Sequence, residues 1–200
     1  MKKILTITTL FCTLVCLTIS AQTVTKSYLQ VEDKTCTALS LSFNESEDLV
    51  TEAIKHEMEE NEGKVRKDDG FIIGRHVKMK TLSDNEMDVF WKVNSTGRRK
   101  NEITTVEMTF RKMDGLYLSD SLDGDLYAKA SAYLTSLPQR VQVYKKDKEL
   151  NELRAQLKKV TAELADLQSS TSDQKRHYKR KSKELKKLEE KIDALQKTNN

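Results

Sequence analysis

A seven-residue apolar repeat near the end of the chain narrows its possible structures more than any other feature. With position a set at Val143, a recurs at Leu150, Leu157, Leu164, Thr171, Tyr178, Leu185 and Ile192. Position d holds Lys146, Leu153, Val160, Leu167, Gln174, Lys181, Leu188 and Leu195. Such a repeat fits a helix that buries a narrow stripe against another helix, so residues 139–200 read as a coiled-coil tail. Its expected seam is Val143, Leu150, Leu153, Leu157, Val160, Leu164, Leu167, Leu185, Leu188, Ile192 and Leu195.

Two arrangements of the tail compete. The run from Ser169 to Asp173 is turn-prone, and Thr171 with Gln174 forms a capping-box pattern, which favours a helical hairpin. Against this, the heptad phase crosses the run intact, and neither Gly nor Pro breaks it. The phase tilts the reading toward one long helix of about 55 residues, ~80 Å at the usual rise. Charges flanking the seam do not choose, since Glu149 would attract Arg154 in a parallel pair but Glu184 would repel Glu189. The seam must be covered by a second chain, by its own other half, or by a partner protein.

The start of the chain carries an export signal. Met1-Lys2-Lys3 is a basic head, Ile4 to Ile19 is uncharged and largely apolar, and Ser20-Ala21 offers small residues for cleavage. The apolar run reaches about 24 Å as a helix, short of the ~30 Å hydrocarbon core, so residues 1–21 read as a cleaved secretory signal peptide. Cys12 and Cys16 follow large residues and do not suit lipid attachment. The short basic head fits a bacterial chain, exported to the periplasm or cell envelope or secreted. Asn94-Ser95-Thr96 then has no meaning as a glycosylation site.

Cleavage would remove two of the three cysteines and leave Cys36 alone. No disulfide within the chain is then possible despite an oxidising compartment, and Cys36 reads as a small buried hydrophobe. Charge divides the remaining chain. Residues 22–140 carry 17 Lys and Arg against 21 Asp and Glu, whereas residues 141–200 carry 16 against 10. Pro138, the only proline, stands at the junction. The division gives a globular domain over 22–138 and the helical tail over 139–200.

The globular part alternates in short strands. Leu39, Leu41 and Phe43 share one face, and so do Phe71, Ile73, Val77 and Met79 in a later strand. Met87, Val89, Trp91 and Val93 mark another, and Val106, Met108 and Phe110 the last. A helix capped by Asn44 carries Val50, Ala53, Ile54 and Met58. A second, over 122–137, carries Leu126, Ala130, Tyr133, Leu134 and Leu137 before Pro138 stops it. The expected fold is α+β in the order β-α-β-β-β-β-α. It has an antiparallel sheet of about four to five strands with both helices on one face.

This order, with the turn Asp68-Asp69-Gly70 leading into Phe71-Ile72-Ile73-Gly74, resembles the TATA-binding-protein-like fold found in uncharacterised exported bacterial domains. The resemblance covers about half the chain, is topological, and implies no functional residues and no DNA binding.

No motif specifies catalysis or a cofactor. His56-Glu57-Met58-Glu59-Glu60 begins like a zinc-protease helix but has Glu60 in place of the second His. Asp120, Asp123 and Asp125 lack the closing Glu of a calcium loop and read as an acidic helix start. Trp91 and Tyr133 could line a pocket, although their periodicity is that of core residues. In the tail, Lys175, Arg176, Lys179, Arg180, Lys181, Lys183, Lys186 and Lys187 form a basic patch broken only by Glu184. Export removes nucleic acid as a routine partner, leaving an anionic envelope surface, the acidic globular domain, or plain solvation.

The expected function is non-enzymatic: an exported protein whose coiled coil mediates self-association or binding to another envelope protein. The alternative is a domain that binds a small ligand or metal, with the coiled coil as spacer. The signal reading is checked by the intact mass of the exported chain, which should correspond to a polypeptide beginning near Gln22.

Overall fold

A computed structural model describes residues 23–97, 101–121, 123–168 and 175–197, so the signal segment lies outside the described residues. Ten elements follow in order: β1 (Thr25–Val31), β2 (Lys34–Phe43), α1 (Glu47–Glu60), β3 (Lys64–Asp68), β4 (Phe71–Val77), β5 (Met87–Thr96), β6 (Ile103–Lys112), α2 (Gly124–Thr135), α3 (Leu137–Gln168) and α4 (Lys175–Lys197). The fold is α+β, as expected, but its sheet has six strands in the order β1-β2-β6-β5-β4-β3. Every pairing is antiparallel. Among the described residues no helix is long and apolar enough to cross a membrane.

The extra strand is β1. It pairs with β2 through a two-residue turn at Glu32 and Asp33, both with positive φ (49° and 62°). That turn is the primed kind that suits hairpin twist, but it carries none of the glycine that usually announces it. Helix α1 is capped by Ser46, whose hydroxyl accepts from the Leu49 amide, rather than by Asn44. Pro138 does not end the second helix region. Helix α2 ends at Thr135, and Pro138 stands in the first turn of α3, where its missing N–H costs nothing.

One sheet face forms the main core. Leu39, Leu41 and Phe43 of β2, Val89, Trp91 and Val93 of β5, and Val106, Met108 and Phe110 of β6 pack together there. Against them lie Val50, Ile54 and Met58 of α1, Ala130 and Leu134 of α2, and Leu137 and Val141 of α3. The helix that becomes the tail therefore starts inside the globular core, with Val141 fully buried.

The expected β4 face is corrected. Phe71 and Ile73 lie on the second face, whereas Val77 and Met79 join the main core. The register between β4 and β5 shifts between Gly74 and Val77, and His76 takes a φ of 57°. A bulge adds one residue and so reverses the alternation that sequence spacing assumes.

The second face is closed without a helix. Leu29, Val31, Cys36, Ala38, Phe71, Ile73 and Phe90 cluster there, and the buried Cys36 thiol is pushed up by desolvation. Arg75 and Arg111 lie over the Phe90 ring at 5.2 and 5.5 Å. Both donate to Asp88 Oδ2, at 2.5 and 2.7 Å. Glu32, at the tip of the β1–β2 hairpin, accepts from both arginines and from the Tyr117 hydroxyl. A hairpin at one edge thus reaches Arg75 on β4, across β6 and β5, because the twisted sheet curls over its own second face.

Burial first, and then the charge of Glu32, push the Tyr117 phenol up to about 12. An unfolded tyrosine ionises near 10, so between about 10 and 12 the native state holds a proton that the unfolded state has lost, and stability falls as pH rises. Tyr117→Phe should therefore flatten the alkaline loss of stability, measured by urea unfolding from pH 9 upward.

Candidate functional site

The tail is a helical hairpin. Helices α3 and α4 run antiparallel, and Lys181 Nζ reaches Glu163 Oε2 at 2.8 Å across the pair. Leu150, Leu153, Val160, Leu188 and Ile192 are buried between them, with Leu157, Leu164, Leu185 and Leu195 packed alongside. The inclination toward one long helix is thereby corrected. An apolar stripe on each helix satisfies the other within one chain, and heptad phase alone cannot tell that from continuity. The turn-prone run Ser169 to Asp173 and the side chain of Leu167 lie outside the described residues.

Val143 is a second correction. It is 53 % exposed and takes no part in the seam. From the Lys181–Glu163 register, the last described residue of α4, Lys197, comes level with about Asp147 of α3. The described part of α4 therefore ends before the level of Val143.

The basic patch divides in the structure. Arg176, Lys179, Arg180, Lys183, Lys186 and Lys187 are exposed on α4. Lys181 is not part of that face. It turns inward between Glu163 and Glu184, and its ammonium pKa is raised by hydrogen bonds to these two carboxylates. The side chain of Lys175 lies outside the described residues. Tyr178, on the same helical stripe as Leu185 and Ile192, has 36 % of its surface open.

At its base the arm is fastened to α1. Lys148 pairs with Glu52 at 2.6 Å, Lys145 with Glu45 at 3.3 Å and Arg140 with Glu57 at 3.1 Å. The His56 and Tyr144 rings meet at 5.2 Å. Glu45 lies just before α1, and from Glu52–Lys148 through His56–Tyr144 to Glu57–Arg140 the numbers run in opposite directions, so α1 and α3 are antiparallel. A groove of about 610 Å³ lies along them, lined by apolar Ala53, Leu137, Val141, Val143 and Tyr144 and edged by Glu60, Asp147 and Glu152.

Arg140 is the most constrained polar side chain at this junction. Its guanidinium stacks 3.8 Å above the Tyr133 ring, Nε faces Glu57, and Nη1 donates to the Tyr133 carbonyl at 2.8 Å and to Ser136. Nη2 is buried without a hydrogen-bond partner. Tyr133, nearly enclosed, has its phenol pKa raised chiefly by desolvation and then by the charge of Glu57. Both residues also line a second cavity, of about 680 Å³, with Lys78, Lys80, Lys129 and Glu62. Trp91 does not join Tyr133 in lining it. It packs into the main core, 6.2 Å from that ring, and its buried Nε1–H has no partner.

The remaining candidate groups are dispersed. His56 pairs with Glu60 at 3.5 Å, and both are exposed. Among the described residues no three His, Cys, Asp or Glu side chains come together as a metal site. Asp120 pairs with Lys26, Asp123 with Lys112, and only Asp125 lies in the first turn of α2. Asp123 occupies the cap position but makes no capping hydrogen bond.

Sequence reasoning missed the groove, because its two walls are about 90 residues apart in the chain. The one available signal was the acidity of α1, where six carboxylates stand against Lys55. No protein-family model, curated protein or solved structure matches the chain.

The hairpin is open to a direct test. With Glu163→Cys and Lys181→Cys introduced together, a short bis-maleimide should link the two helices within one chain. The expected product migrates as a monomer, and recovery mainly as a linked dimer would mean that the helices separate and pair between chains.

Proposed function

We propose that this is a non-enzymatic exported protein of the bacterial periplasm or cell envelope, in which an α+β domain carries a stiff helical arm that holds an acidic partner. The arm supports this reading more than any other feature. Its apolar seam is consumed between α3 and α4, so its outer surface offers mainly charge. Six exposed cations, Arg176, Lys179, Arg180, Lys183, Lys186 and Lys187, stand on the part of α4 nearest the arm's tip. A dense cation field of this kind speeds encounter with an anionic surface and favours it over neutral ones. The partner is either another envelope component or a second copy of the chain.

A second reading rests on the 680 Å³ cavity. The buried, unpartnered Nη2 of Arg140 at its wall suits a small anionic ligand, for which the arm would act as a spacer. The resemblance to the TATA-binding-protein-like fold adds topology to either reading and no contact residues.

Site-specific photo-cross-linking in the producing cell separates the arm from the rest of the surface. A benzophenone side chain placed at Lys183 should yield protein adducts, and one placed at Lys67 on the far edge strand should not. Replacing Lys179, Lys186 and Lys187 with Gln should reduce the Lys183 adducts several-fold. Equal adducts at both positions, or adducts indifferent to the three replacements, would overturn the arm as the binding element.

A further inference from the structure

The groove between α1 and α3 and the basic face of α4 are complementary in charge. The groove floor is apolar, with Val141 and Tyr144 below and Val143 open beside them. Its in-house ion pairs consume Glu57 with Arg140 and Glu52 with Lys148. Glu60, Asp147 and Glu152 remain on the rim with no lysine or arginine at ion-pair distance among the described residues. The outer face of α4 offers the converse: Arg176, Lys179, Arg180, Lys183, Lys186 and Lys187, all exposed. Cations carried on long alkyl stems suit an apolar floor with an acidic rim, the stems covering the floor while the charges meet the rim.

The arm of the same chain cannot supply it. Helix α3 is continuous from Leu137 to Gln168, so its end lies about 30 Å beyond Lys148 at the helical rise. Helix α4 returns along the face of Leu150, Leu153 and Leu157. The groove uses Tyr144, Lys148, Asn151 and Ala155. At about 100° per residue these two stripes are on opposite sides of α3, so the basic face and the groove of one chain point apart.

We propose that the groove binds the basic outer face of α4 from a second copy of this chain. This rests on the reading that the arm docks on an acidic surface, and it names that surface. Each copy has one arm and one groove. Reciprocal exchange would close a twofold dimer with two equal contacts, while one-way docking would leave an arm and a groove free at each end. A flat anionic membrane, by contrast, would engage the arm and leave the apolar groove with Val143 uncovered.

The test uses the whole mature chain, with mass measured by light scattering after size exclusion. Up to about 100 µM and near 50 mM salt the chain should self-associate, and near 0.5 M salt it should fall apart, since screening shortens from over 10 Å to a few. Arm reversal (Lys179→Glu with Lys183→Glu) and groove reversal (Asp147→Lys with Glu152→Lys) should each weaken association at least tenfold. All four positions are exposed, and circular dichroism checks that each variant folds. Mixing the two reversed chains should restore a complex, because a reversed arm fits a reversed groove.

A wild type that stays monomeric at low salt, or a mixture that forms no complex, overturns the proposal. Co-sedimentation with phosphatidylglycerol-containing vesicles, against neutral vesicles, separates this failure from that of the reading beneath it. Vesicle binding lost on arm reversal, in a chain that does not self-associate, would keep the acidic-surface reading and discard the second copy. Arm reversal that changes neither association nor vesicle binding would discard both.

Discussion

Helix α3 enters the core before it leaves it, and much of the structure depends on that placement. Leu137 and Val141 are buried against the sheet and α1, so the helix axis is set by core packing rather than by a linker. Arg140, between them in sequence, ties α3 to Glu57 of α1 and to the end of α2 at the Tyr133 carbonyl and Ser136. An unbroken helix rooted in this way carries its direction outward, because bending it would break backbone hydrogen bonds. The arm, the groove at its base and the separation of the two charged surfaces all follow.

The sheet solves a different problem. Six strands with helices on only one side leave a second face that must still exclude water. The solution combines curvature with charge. The β1–β2 hairpin curls inward, and two arginines lie flat over Phe90 while Asp88 and Glu32 bind their outward nitrogens. Guanidinium groups suit this place, since their planar faces cover an aromatic ring while their edges stay hydrogen-bonded.

Much of this was legible beforehand. The strands built around Leu39, Trp91 and Met108, and the apolar stripes of α1 and α2, follow directly from periods of 2 and 3.6. Most of the tail seam was likewise visible as a heptad, and Cys36 reads as the buried small residue it is. What escaped the reading has common causes. The turn of β1 lacks glycine, the β4 bulge reverses the parity of Phe71 against Val77, and Val143 lies past the level at which the described part of α4 ends. Lys181 looked like one more cation in a basic run until Glu163 of the opposite helix drew it inward.

The sequence by itself determined the α+β class, the presence of a helical tail and the opposition between an acidic domain and a basic terminus. These are properties of composition and of local period, which a chain carries before it folds. The tertiary structure alone decided that the tail doubles back, that its seam is spent within the chain, and that a groove opens between α1 and α3. Each of these depends on which distant residues meet, Lys181 with Glu163 or Tyr144 with His56. A periodic stripe specifies that it must be covered, but the identity of its cover is set by chain geometry and competing contacts.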